Sequence, residues 1–165
     1  MRRPSDVDQV RRTLGNLREA MPEVALRTTF IVGFPGEAET EFSTLLDFVR
    51  EVRFDRLGVF AYSHEPGTAA AALGDDVSAE VKEARYDQIM VTQQEISYEK
   101  NQEFVGKRLL VLLEGTGDDL TVGRSYRDAP EIDGLVLIPE SVEAHRMVTV
   151  EITEALPYDL SGRIV

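Results

Sequence analysis

Hydrophobic positions follow two rhythms along this chain, and the change falls near residue 103. In the first stretch Val10, Leu14 and Leu17 recur at helical spacing, and Met21 carries the stripe on to Pro22, which punctuates it. Residues 24–32 are rich in β-branched side chains and predict a largely buried strand. Phe42, Leu45, Leu46 and Val49 form the apolar stripe of a second helix, with Glu37, Glu39 and Glu41 gathered about its start, where they suit the helix dipole. Residues 56–62 supply another short strand. A longer helix runs from Ala79 to about Asn101 with Ser78 as its cap, turning Val81, Ala84, Ile89 and Ile96 towards a core.

After Lys107 the period becomes two. Residues 109–113, 120–124, 135–138 and 147–152 read as strands, and Val148, Val150 and Ile152 give a one-faced alternation. Gly115, Gly117 with Asp118, Asp133-Gly134 and Pro139 mark the turns. Four or five short strands in about sixty residues predict a small closed antiparallel barrel of oligonucleotide-fold type. Two domains follow, residues 1–103 and residues 104–165. The first has an α/β layer pattern, but its two strands make no barrel, so further strands are expected from upstream sequence or another chain. Met1 need not be the natural start of the polypeptide. Stability of the isolated chain is expected to reside mainly in residues 104–165, with the first part self-associating or partly disordered.

Composition narrows the chemistry. The chain has 165 residues and no cysteine, so it supplies neither disulfides nor thiolate ligands nor a thiol nucleophile. Its two histidines, His64 and His145, lie far apart with no ligand spacing around either, which argues against metal binding. No run approaches the ~20 apolar residues that cross a bilayer. The net charge is -12, with 12 basic and 18 acidic side chains in residues 1–100 against 6 and 12 in residues 101–165. That balance disfavours a phosphate backbone as partner in either half.

Three segments are richer than turns require. Gly33-Phe34-Pro35-Gly36-Glu37 sits where a buried strand gives way to a helix, the end of an α/β layer at which ligands usually lie. Glycines there allow close backbone approach to a nucleoside or carboxylate, although an ordinary strand-to-helix turn uses the same residues. His64 and Glu65 follow the next strand and suit either proton transfer or a polar loop. Between two barrel strands, residues 123–134 concentrate Arg124, Arg127, Tyr126 and several carboxylates, fit for recognition or for pinning a wide loop.

Residues 27–37, 54–60 and Tyr62-Ser63 together resemble the radical S-adenosylmethionine methylthiotransferases. Gln93-Gln94-Glu95-Ile96-Ser97 and Asn101 resemble the helix joining that family's catalytic barrel to its C-terminal TRAM domain. Within the family, residues 123–134 look like the type that methylthiolates an aspartate β-carbon of small-subunit ribosomal protein S12, rather than the type that modifies a tRNA adenosine. The acidity of residues 101–165 agrees, since a basic ribosomal protein complements it.

The resemblance implies the end of a partial TIM-like radical barrel followed by a TRAM barrel. It implies a cytoplasmic enzyme with S-adenosyl-L-methionine and two 4Fe-4S clusters, the clusters held by cysteines outside this chain. The chain alone is then expected to be inactive, with S12 and the upstream half of the same enzyme as partners, little direct nucleic acid binding and no membrane. It further implies that Gly33, Phe34, Pro35 and Gly36 line the S-adenosylmethionine side of the barrel mouth. Arg124, Tyr126, Arg127 and Asp128 are expected either to contact the ribosomal protein or to orient the small barrel.

Overall fold

A computed structural model describes residues 6–165. Helix α1 (Val7–Ala20) leads to strand β1 (Arg27–Val32), helix α2 (Glu39–Val52), strand β2 (Arg56–Ala61) and, after a loop, the long helix α3 (Ala79–Gln102). The Asp6 carboxylate accepts a hydrogen bond from the Gln9 amide at 3.0 Å and so caps α1, and Ser78 does the same for α3 through Val81. β1 and β2 pair in parallel, Arg27 opposite Arg56 through Val32 opposite Ala61, with α2 as the crossover.

The helices cover one face of this two-stranded sheet. Val32, Val59, Phe42, Leu46, Val49, Ile89 and Ile96 form one core, and Leu26, Phe48, Val52 and Phe54 a second beside it. Towards its carboxyl end the opposite face is bare among the described residues, which is why β1 alternates between exposed and partly covered positions instead of being buried throughout. Phe60 is 64% exposed and Ile31 54% on that face.

Two expected core stripes shift. Met21 ends α1 in solvent, and Val10 is also exposed, leaving Leu14 and Leu17 to pack. In the opening turns of α3, Val81 and Ala84 point outward while Lys82 and Arg85 are buried. The reason is chemical: the loop after β1 offers Glu37 and the segment before α3 offers Asp75, so long cationic side chains bury their stems and pair their ends.

Strands β3 (Arg108–Gly117), β4 (Leu120–Arg124), β5 (Val136–Ile138), β6 (Met147–Ala155) and β7 (Leu160–Ile164) close into a barrel in the order β3-β4-β5-β7-β6. Closure is mixed rather than wholly antiparallel, because β5 runs parallel to β7. Leu109, Val111, Leu113, Val136, Ile138, Val150, Ile152 and Leu160 fill the interior, the inward half of each alternation. Gly123 and Gly162 face inward at crowded points: a Cβ on either would sit 2.6 Å or less from a neighbouring carbonyl oxygen or valine methyl.

Candidate functional site

The two ends of β2 carry the chain's concentrations of polar chemistry. At the carboxyl end, Gly33 and Gly36 both adopt positive φ, 70° and 82°, and turn the chain from β1 into α2. The Glu37 carboxylate folds back to accept from the Gly33 amide at 3.0 Å and receives the Arg85 guanidinium at 2.7 Å. Arg85 also donates to the Glu37 carbonyl at 3.0 Å and lies over the Phe42 ring. Gly33 has no room for a side chain, since the Lys82 stem passes 2.3 Å from where its Cβ would stand. Beside Gly36 the space is open, and its amide donates to Asp76.

Phe34 and Tyr62 meet edge to face at 5.3 Å and, with Ile31, Ala61, Ser63 and Thr68, line a recess of about 370 Å³. The Tyr62 hydroxyl is buried with no hydrogen-bond partner among the described residues. Of the glycine-proline segment, Phe34 alone lines this recess. His64 and Glu65 are exposed, and Glu65 accepts from the Ser63 hydroxyl at 3.3 Å. Among the described residues no group of three or more His, Cys, Asp or Glu side chains is arranged to hold a metal ion.

At the amino end of β2, Asp55 and Arg56 meet Arg127 and Asp128 of the barrel in a crossed pair of buried ion contacts. Arg56 reaches Asp128 at 2.8 Å, and Arg127 approaches Asp55 at 3.6 Å. Asp55 also takes Lys100 at 2.8 Å and the Leu26 amide at 2.8 Å. Desolvation pulls the Lys100 amine below its ordinary range, with Asp55 opposing. Desolvation and the neighbouring Arg56 likewise pull Arg127 down, against Asp55 and Asp128; a guanidinium keeps its charge through such a shift. The Arg127 plane lies 3.9 Å from the centre of the Phe104 ring, a second means of holding a charge out of water.

Helix α3 ties this seam together by a buried polar stripe at four-residue spacing. Gln93 donates to the Phe54 carbonyl at 2.8 Å and to Ser97, and Ser97 donates to the Asp55 carbonyl at 3.4 Å. Asn101 donates to the Leu156 carbonyl of the barrel at 2.9 Å and accepts from Arg127 at 3.3 Å. None of these three was assigned a role by hydrophobic periodicity. The signal was the interval itself, Ile89, Gln93, Ser97 and Asn101 succeeding one another on one face.

The arginine-rich segment therefore divides. Arg127 and Asp128 are buried in the seam, with the Asp128 carboxylate also accepting from the Ser125 amide and hydroxyl. Arg124 pairs with Glu114 on the barrel surface. Tyr126, lifted between buried neighbours, is 57% exposed. Arg27 and Asp133 add a looser pair across the seam at 3.8 Å, and Gly134 admits the close pass of the Tyr158 carbonyl.

Residues 105–165 match the TRAM domain family. The whole chain is 52% identical over 170 residues to the ribosomal protein uS12 methylthiotransferase RimO of Roseiflexus castenholzii, covering 35% of that protein. It is 49% identical to the RimO of Herpetosiphon aurantiacus, covering 36% of it. Against the RimO of Escherichia fergusonii, 98% of the chain aligns at 48% identity, covering 37% of that protein. The chain thus spans about a third of the length of the curated relatives it matches. With a TRAM domain closing the seam and this identity running from end to end, the chain belongs to the RimO family of methylthiotransferases.

Proposed function

We propose that this chain is the C-terminal, recognition-bearing part of an enzyme that transfers a methylthio group to an aspartate β-carbon of ribosomal protein uS12 in the cytoplasm. The observation that carries the reading is the identity to RimO relatives along the whole chain, together with a barrel that is acidic where a tRNA-gripping domain would be basic. In the complete enzyme, cysteines outside this chain would hold two 4Fe-4S clusters, which would supply radical chemistry on S-adenosyl-L-methionine and sulfur delivery. This chain holds no cysteine, so it ligates neither cluster and is inactive alone.

Its own residues do two other things under this reading. Phe34 and Tyr62 offer an aromatic wall, and Gly36 an open backbone edge, to the nucleoside part of S-adenosylmethionine. This fits the recess, which is apolar except at its rim. The free edges of the two-stranded sheet receive the remaining strands of the α/β barrel, and the face carrying Ile31 and Phe60 lines its interior. The seam holds the TRAM barrel in a set direction relative to that mouth, and the barrel engages the ribosomal protein.

The test is parallel binding of the chain to purified uS12 and to a tRNA anticodon stem-loop at low and moderate salt. Selective uS12 binding that persists at moderate salt is expected. Preferential, steeply salt-dependent RNA binding would replace this reading with the tRNA-modifying one.

A further inference from the structure

The recess at the carboxyl end of β2 has an aromatic wall, and what stands behind that wall is cationic. Lys82 and Arg85 lie three residues apart in the opening turns of α3 and so share one face of the helix. Both are buried, although neither belongs to the hydrophobic core of the layer. Each reaches a different half of the recess. The Lys82 stem fills the space where a side chain on Gly33 would stand, and its ammonium lies 5.3 Å from the centre of the Tyr62 ring while pairing with Asp75 at 2.6 Å.

Arg85 acts on the turn through Glu37. One of its terminal nitrogens donates both to the Glu37 carboxylate, at 2.7 Å, and to the Glu37 carbonyl, at 3.0 Å. The same carboxylate accepts from the Gly33 amide, so Arg85 fixes the backbone on which Phe34 is the next residue. The edge-to-face meeting of Phe34 and Tyr62 therefore rests on α3 at two points. Neither cation offers its charge to a ligand: each is answered by a carboxylate, and neither lines the recess. A site that orients its ligand is impaired when its wall shifts by about 1 Å, so residues that set a wall matter without touching what binds.

We propose that Lys82 and Arg85 are positioning residues for S-adenosylmethionine. Lys82 wedges its stem between Gly33 and Tyr62, Arg85 holds the turn, and together they set the Phe34–Tyr62 wall against which the nucleoside lies. The proposal rests on the reading above that this recess takes the nucleoside, and it adds what keeps the recess in shape. It also gives α3 a task at each end, since the helix that carries Asn101 into the seam carries Lys82 and Arg85 to the recess.

The test is calorimetric titration of S-adenosylhomocysteine, which carries the same nucleoside and undergoes no radical cleavage, into the complete enzyme bearing Lys82→Ala, Lys82→Met, Arg85→Gln or Phe34→Ala. Lys82→Ala and Arg85→Gln should each bind about tenfold more weakly than wild type. They act at separate contacts, so one decides where the other does not fold. Lys82→Met keeps the length of the stem without its charge and should restore most of the loss, a rescue that a purely electrostatic role in stability would not give. Phe34→Ala removes the wall itself and should weaken binding at least as much. Wild-type affinity in Lys82→Ala or Arg85→Gln, beside a weakened Phe34→Ala, would overturn the role of that residue and leave the recess reading standing. Equal losses in Lys82→Met and Lys82→Ala would overturn the wedge. Wild-type affinity in Phe34→Ala would overturn the recess reading and the positioning roles with it.

Discussion

The two ends of β2 are five residues apart in sequence and opposite in construction. At the amino end every charge is met by an opposite one, Asp55 by Lys100 and Arg127 with an amide beside them, Arg56 by Asp128, although among the described residues Arg56 Nε donates and Gln93 Oε1 accepts no hydrogen bond. At the carboxyl end a buried Tyr62 hydroxyl has no partner among the described residues, an aromatic pair faces a recess, and Phe60 next to it lies in solvent. Buried charges are costly to assemble and costlier to leave half-assembled, so the first arrangement suits holding two bodies in one relation. The second suits receiving something that is not part of this chain. The same strand thus joins a finished contact to an unfinished one.

The sharpest way to break this contrast is to leave a charge unanswered at the finished end. Asp128→Ala strands the buried Arg56 guanidinium and should cost about 3–5 kcal/mol in urea unfolding. The double variant Arg56→Met/Asp128→Leu, which removes both charges, should recover most of that loss. If the single and double variants were equally destabilised, the pair would matter for packing and not for charge.

At the unfinished end the effects are smaller. Gly33→Ala meets both a positive φ and the Lys82 stem and should cost about 2 kcal/mol, whereas Gly36→Ala meets only the positive φ and should cost about 1 kcal/mol. Equal costs by thermal denaturation would mean that Lys82 yields freely and does not hold the turn.

The smallest effect is on pH dependence. Desolvation, then Glu23, raises the Tyr126 phenol above its ordinary value of 10.0. A raised folded value contributes stability that is full below pH 10.0 and lost as the pH climbs through the folded value. Lys100, lowered by desolvation, acts in the other sense and gains stability as the pH rises from its folded value towards 10.5. Tyr126→Phe should therefore make the decline of stability above pH 10 shallower, read from unfolding midpoints across a pH series; an unchanged slope would count against partial desolvation of this half-exposed phenol.

Much of this architecture was legible in the sequence, because burial imposes periodicity. The change from helical to alternating spacing near residue 103 anticipates the passage from α3 into β3, and Asp118, Gly134 and Pro139 do fall between barrel strands, whereas Gly115 and Gly117 lie inside β3, Gly115 beside a shift of register. β7 was not singled out: it is five residues long, carries Gly162 in its middle and has no uninterrupted apolar alternation. β1 reads as buried because its composition suits burial on both faces, yet the chain covers only one. Lys82 and Arg85 escaped notice since a hydrophobic pattern cannot show a cation buried against a carboxylate elsewhere in the chain. The same limit hid the seam: Asp55-Arg56 and Arg127-Asp128 are ordinary pairs in sequence and become a clasp only when the fold crosses them.

This clasp fixes the barrel against the α/β layer, and a chain without native cysteines allows the hold to be measured cleanly. Spin labels on cysteines introduced at Ser43 of α2 and Asp118 of the β3–β4 turn, both exposed, report the distance between the two bodies. One narrow distance distribution is expected for the wild-type background, broadening in Arg127→Gln/Asp128→Asn while the helical and strand content is kept. A broad distribution in the wild-type background, or a narrow one untouched by that double variant, would contradict the account.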